Sequence, residues 1–214
     1  MDTSERRFED EIEYSLTHFG ASEFDLYEYR SPSGYDRELG LYPQDLLDFV
    51  RETQPQEWAR LERIHGLKAG EKFCKRVARE LEQRGVVEVL RRGVEDLGRR
   101  FELVFFAPGS DLNEQLAEKY WANRMTVVRQ LRYSTRNENS VDTVLFVNGI
   151  PVVTLELKNP LTGQTYRDAI DQYKRSRSAS EDLFRLNRRA VVHFAVDTDE
   201  AWMTTKLAGM DTVF

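Results

Sequence analysis

What the chain lacks narrows its possible functions first. A single cysteine, Cys74, among 214 residues excludes an intramolecular disulfide and any cysteine-cluster metal site. The three histidines, His18, His65 and His193, are scattered and form no zinc motif. No stretch approaches the ~18 consecutive apolar residues of a membrane helix. The N-terminus, MDTSERRFEDEIEYSL, is charged throughout, unlike a secretory signal. These absences predict a soluble protein of a reducing cytoplasm. No internal repeat, low-complexity tract or long Pro/Gly/Ser linker divides the chain. Positive charge is also in short supply: 31 Lys and Arg against 37 Asp and Glu give a net charge of −6. That excludes a strongly basic nucleic-acid coat, but not a local basic groove.

The charge is unevenly spread. Residues 1–50 hold 13 acidic and 4 basic side chains, a local net of −9, which leaves +3 for residues 51–214. An acidic start and a mildly basic body are compatible either with a phosphate-binding surface in the body or with a solvated acidic helix.

Apolar periodicity predicts an α/β chain with a mixed sheet and helices on its faces. Helices are expected at 4–18, where Phe8, Ile12 and Leu16 share a face, at 43–53 and 55–65, and at 70–84. In the last of these Phe73, Val77 and Leu81 share a face and Gly85 sits at the C-cap position. Cys74 lies beside that face, as a buried structural thiol would. The loop 31–36 reads as an exposed excursion. Strands are expected at 86–90, 101–106 and 127–133, with a helix at 111–121. Further strands are expected at 141–147 and 152–158, then a helix at 165–177 and a strand at 190–196, where His193 reads as a core or sheet-edge residue.

The centre of the chain carries the chemistry. Two β-rich runs flank Asn148-Gly149, a strong hairpin signal. Asp142 stands at the start of the first run, and the second ends Glu156-Leu157-Lys158. Side chains at i and i+2 of a strand share a face, so Glu156 and Lys158 project together while Val153, Leu155 and Leu157 point into a core. Two carboxylates converging on one spot form a hard, oxygen-rich site suited to Mg²⁺. A neighbouring lysine can orient or deprotonate a water there. An exposed strand with an i/i+2 ion pair would read the same way.

Register supplies an internal test. A two-residue loop with no bulge sets Asp142 opposite Leu155, which puts Asp142 and Glu156 on opposite faces. A metal site therefore requires an odd-length loop or a β-bulge in this hairpin.

Three segments carry a resemblance: FELVFFAPGSDLNEQLAEKYWANRMTVVRQLRYS, VDTVLFVNGIPVVTLELKNPLTGQTYRDAIDQYKR and RRAVVHFAVDTDEAWMTTKL. Together they resemble the N-terminal region of the restriction (R, motor) subunit of type I restriction-modification enzymes. The likeness runs from about Phe8 to the last residue and is densest over 101–206. It implies a restriction-endonuclease-like, PD-(D/E)xK (RecB-like) nuclease domain over 1–214. The first part, 1–100, would be mainly helical, and 101–206 would be the sheet core with the catalytic hairpin. By position, Asp142, Glu156 and the carbonyl of Leu157 would hold Mg²⁺, with Mn²⁺ as a substitute, and Lys158 would be the catalytic lysine. Gln172 matches the glutamine of the family's Q-x-x-x-Y motif, expected to support the site and contact DNA. Position 176 is Ser, and Tyr173 follows the glutamine instead. A first-helix glutamate often completes such sites, and Glu9 is the choice here over Glu11.

The resemblance further implies a Mg²⁺-dependent endonuclease with little intrinsic sequence preference, acting on double-stranded DNA in a prokaryotic cytoplasm. Its partners would be modification (methyltransferase) and specificity subunits, with motor domains in cis. No G-x-x-x-x-G-K-[ST] phosphate loop occurs in the 214 residues. The chain is therefore expected to be cut just before the motor, with ATP needed by the parent enzyme and not bound here. Candidate DNA contacts are Arg129, Arg132 and Arg136, then Arg167, Lys174, Arg175 and Arg177 on the following helix. Two alternatives stay open: another RecB-like repair or recombination nuclease, and a non-catalytic DNA- or protein-binding module of the same fold.

Overall fold

The computed structural model describes residues 3–20, 26–109 and 113–214. Helix α1 (Thr3–His18) leads to a short strand, β1 (Glu28–Arg30). Helices α2 (Pro43–Thr53) and α3 (Pro55–His65) each begin with proline, whose fixed φ and missing N–H suit a helix's first turn. Helix α4 (Ala69–Arg84) ends at Gly85, whose φ of +85° stops it. Leu46, Phe49, Trp58, Phe73, Val77 and Leu81 of α2–α4 interlock in one apolar cluster that includes the buried Cys74. Burial pushes that thiol up to about 12, which leaves it inert.

The expected strand at 86–90 is instead a helix, α5 (Val86–Arg92). Its β-branched residues suggest a strand, but Gly85 and Gly93 bracket one short segment and bury Val86 and Val89 three residues apart on one helical face. The expected strand at 101–106 is also corrected. Only Phe101 of it belongs to a strand, β3 (Arg99–Phe101), which pairs with β2 (Val94–Asp96). Beyond it, side-chain amides replace a partner strand. Gln54 takes the Glu102 N–H at 2.7 Å, and Asn123 takes the N–H and the carbonyl of Phe105. The first two residues of the expected 111–121 helix lie outside the described residues. The remainder forms α6 (Glu114–Trp121), capped by Asn113. The loop at 31–36 is not wholly exposed, because Tyr35 is buried edge-on against Phe146.

A six-stranded mixed sheet runs in the order β1-β4-β5-β6-β7-β8. It comprises β4 (Met125–Arg132), β5 (Ser140–Val147), β6 (Ile150–Leu157), β7 (Val192–Val196) and β8 (Ala201–Thr204) beside β1. The β1–β4 and β6–β7 pairs are parallel and the others antiparallel. β1 and β8 are too short and too polar or exposed to show period-2 patterning. After β6, helix α7 (Tyr166–Ser176) starts with a capping box between Thr165 and Asp168. Its Ala169 and Tyr173 join Val144, Phe146 and Phe184 in a second apolar cluster. Among the described residues, no helix is long and apolar enough to cross a membrane.

The central hairpin settles the register question. Asn148 (φ +49°) and Gly149 (φ +77°) make a two-residue turn of the type that matches strand twist. Val147 then pairs with Ile150 and Phe146 with Pro151, but Leu145 pairs with Val153, so Val152 is an extra residue. This β-bulge leaves Thr143 opposite Leu155, the last pair of the ladder, and one further step in the same register would set Asp142 opposite Glu156. The loop is even in length, and the bulge supplies the shift that would put both carboxylates on one face. Helix α7 lies over that face, where Tyr173 meets Thr154 and Arg177 meets Glu156. Helix α1 meets the sheet at Arg129 and Gln130 of β4.

Candidate active site

Glu156 is the centre of the cluster and is fully buried. Glu156 does not stand on an exposed strand, since α7 covers it and Arg177 answers its charge from within. Arg177, just past the end of α7, donates Nε to Glu156 Oε1 at 2.5 Å and Nη2 to the Ser140 carbonyl at 2.7 Å. Its guanidinium also lies 5.8 Å from the Tyr133 ring centre. Glu156 Oε2 is buried and accepts no hydrogen bond among the described residues. Burial, and then the charge of Asp142, push the Glu156 carboxyl up to about 8, although Arg177 and Lys158 pull the other way.

Asp142, half-buried, accepts the Leu157 N–H at Oδ2 (2.8 Å) and the Gln130 amide at Oδ1 (3.2 Å). The same Gln130 amide donates to Glu9 Oε1 at 2.8 Å, so one side chain bridges two carboxylates. Gln130 holds a left-handed φ of +48° inside β4, a costly conformation for a non-glycine residue. Ser140 steadies it, donating Oγ to Gln130 Oε1 at 3.1 Å. Glu9 is 2% exposed, and burial with the nearby Asp142 holds its carboxyl above the ordinary range. Arg129 clamps it with two bonds while also reaching Asp10 and Glu13. Glu11, by contrast, is exposed and pairs with Arg7.

The structure therefore brings Asp142 into electrostatic contact with Glu9 on one side and with Glu156 on the other. Among the described residues, however, no three His, Cys, Asp or Glu side chains stand together as a ready-made metal shell. Lys158 is half-buried beside Glu156; its backbone N–H donates to the Val196 carbonyl at 2.9 Å, and its ammonium makes no hydrogen bond or ion pair among the described residues. Leu157 is buried, whereas Val153 and Leu155 are only partly so. Gln172 is half-exposed on α7, and its side chain makes no hydrogen bond among the described residues. Its neighbour Tyr173 is fully buried, with its hydroxyl 2.8 Å from Thr154 Oγ1. His193 stands 2.8 Å from that same Thr154 oxygen inside the sheet, and burial pushes it down to about 4.

Two of the expected DNA contacts are corrected. Arg177 is buried within the cluster and Arg129 is committed to three carboxylates of α1, so neither is presented to a ligand. Arg132, Arg136, Arg167 and Arg175 are exposed and Lys174 is half-exposed. Arg132 pairs with Glu138, Arg136 with Glu181, and Arg175 weakly with Asp171. Sequence reasoning missed Gln130 and the structural role of Arg177. Only a three-dimensional register opposes Gln130 to Asp142, and only the length of α7 returns Arg177 to Glu156.

The family described as Type I restriction enzyme R protein N terminus matches residues 43–212. The Type I restriction enzyme EcoprrI endonuclease subunit of Escherichia coli is 30% identical over 128 residues, covering 57% of this chain. The matched stretch spans 39% of that subunit's length.

Proposed function

This chain belongs to the family of type I restriction enzyme R protein N termini, and on that premise we propose that it is the endonuclease domain of such a subunit, of the PD-(D/E)xK fold class. The reaction is hydrolysis of a DNA phosphodiester with little intrinsic sequence preference. A water oxygen forms the new bond to phosphorus, the bond to the departing sugar oxygen breaks, and that oxygen takes up a proton.

One observation supports the proposal: the Val152 bulge shifts the hairpin into the register that would set Asp142 opposite Glu156, next to Lys158. A regular hairpin around the same turn would separate them. A divalent cation fits the donor set, because Glu156 Oε2 is a buried oxygen with no hydrogen-bond partner among the described residues and its carboxyl is held high beside Asp142. Asp142, Glu156 and the Leu157 carbonyl are the proposed ligands, with Glu9 completing the set from α1. Mg²⁺ would supply positive charge at the scissile phosphate and make water a better nucleophile. Lys158 holds and orients that water. Gln172 supports the site from α7 and touches the DNA, and Arg132, Arg167, Lys174 and Arg175 hold its backbone. Double-stranded DNA is the proposed substrate. Modification and specificity subunits and an ATP-driven motor in cis are the proposed partners of the parent enzyme.

Nicking of supercoiled plasmid by the 214-residue protein tests the reading. The wild type should nick with Mg²⁺ or Mn²⁺ and not with EDTA. Asp142→Asn and Lys158→Ala should lose activity while keeping their melting transitions. Nicking by Lys158→Ala at the wild-type rate would overturn the assignment.

A further inference from the structure

Beside the Gln130 bridge the surface opens into a groove of about 440 Å³ lined by Pro32, Ser33, Arg37, Gln130, Arg132 and Ser140. Gln130 is at once a wall of this groove and the link between Asp142 and Glu9, so whatever lies in it lies against the candidate site. Two lining side chains are arginines from separate segments, and both close on one carboxylate. Arg37 presents Nη1 and Nη2 to the two oxygens of Glu138 at 3.0 and 3.2 Å, and Arg132 presents Nη1 to Oε2 at 3.0 Å. Arg37 is fixed further by donating Nη1 to the Ser134 carbonyl at 3.2 Å. Glu138 is 65% exposed on the turn between β4 and β5. A guanidinium fork matches a carboxylate and a phosphate diester equally well, with two parallel donors for two anionic oxygens. Exposed ion pairs are weak and screened by salt, so a polyanion can displace Glu138.

We propose that Arg37 and Arg132 form a clamp for the DNA phosphate next to the scissile one, and that Glu138 occupies the clamp as a phosphate stand-in until DNA arrives. This rests on the endonuclease reading and adds to it where the strand enters. Arg37 lies far from the other basic candidates in sequence and joins them only through the groove.

The test is fluorescence anisotropy of a short labelled duplex titrated with the 214-residue protein in EDTA over a range of salt. Glu138→Gln should bind several-fold tighter, which a merely destabilised protein would not do. Arg37→Ala/Arg132→Ala should bind at least about tenfold more weakly at low salt. Its slope of log affinity against log salt should shrink by about 0.9, the value for one lost phosphate. Arg92→Ala, an exposed arginine on α5 paired with Glu88, should bind as the wild type does. If Glu138→Gln and the double variant also bind like the wild type, the clamp is wrong, and the endonuclease reading survives if the wild type nicks plasmid. If the wild type neither binds duplex nor nicks plasmid, the clamp falls together with that reading.

Discussion

Raising the pH from 6.5 to 8 should destabilise this protein, and Glu156 should be the cause. Its folded carboxyl titrates near 8 against 4.5 unfolded, so its contribution is fully present below pH 4.5 and is lost as pH rises toward 8. His193 works in the opposite sense. Its folded value near 4 lies below the unfolded 6.5, so its contribution is lost as pH falls from 6.5 toward 4. Between pH 4.5 and 6.5 the two slopes oppose each other and nearly cancel. Above 6.5 His193 is largely neutral in both states and Glu156 leads the slope, at about 1.4 kcal/mol per pH unit, with the raised Glu9 carboxyl acting in the same sense. Over 1.5 units the wild type should therefore lose about 2 kcal/mol, read from urea unfolding at pH 6.5 and 8.0. Glu156→Gln should remove most of this slope, whatever its absolute stability. Added Mg²⁺ should restore wild-type stability selectively at pH 8, where the carboxyl is ionised. Equal wild-type stability at the two pH values, or an undiminished slope in Glu156→Gln, would refute the assignment of the strained carboxyl.

Arg177→Ala should cost about 1–3 kcal/mol for the lost hydrogen bonds. With its counter-charge gone, Glu156 should stay protonated further above pH 8, so the cost should differ little between pH 5.5 and pH 8, as urea midpoints at the two pH values check. Gly149→Ala should destabilise by at least about 2 kcal/mol in thermal unfolding. Its φ is +77°, and an added Cβ would meet the Tyr42 carbonyl oxygen at 2.3 Å, a backbone atom with no freedom to yield.

Much of the fold can be read from apolar spacing, because α1–α4, α7 and the β4–β7 strands each bury a periodic face. The errors have local causes. Val86, Val87 and Val89 carry strand propensity into a segment whose two glycine boundaries fix a helix. Residues 102–106 satisfy their backbone with the side chains of Gln54 and Asn123, which no periodicity announces. At the site, the positions of Asp142, Glu156 and Lys158 follow from strand alternation, and the need for a bulge or an odd loop follows from the same counting. The partners of those residues are not legible, because they depend on burial. Covering Glu156 with α7 turns Arg177 from a surface charge into an interior one, and Gln130 reaches both Asp142 and Glu9 only through a left-handed backbone.

The central claim is that Asp142 and Glu156 hold a divalent cation beside Lys158. The most direct test is a crystal of this protein soaked in Mn²⁺ and read by anomalous scattering. The account predicts a peak within about 2.0–2.4 Å of oxygens from both carboxylates, absent in Asp142→Asn. No peak at either carboxylate at saturating Mn²⁺, with Arg177 still closed on Glu156, would contradict it.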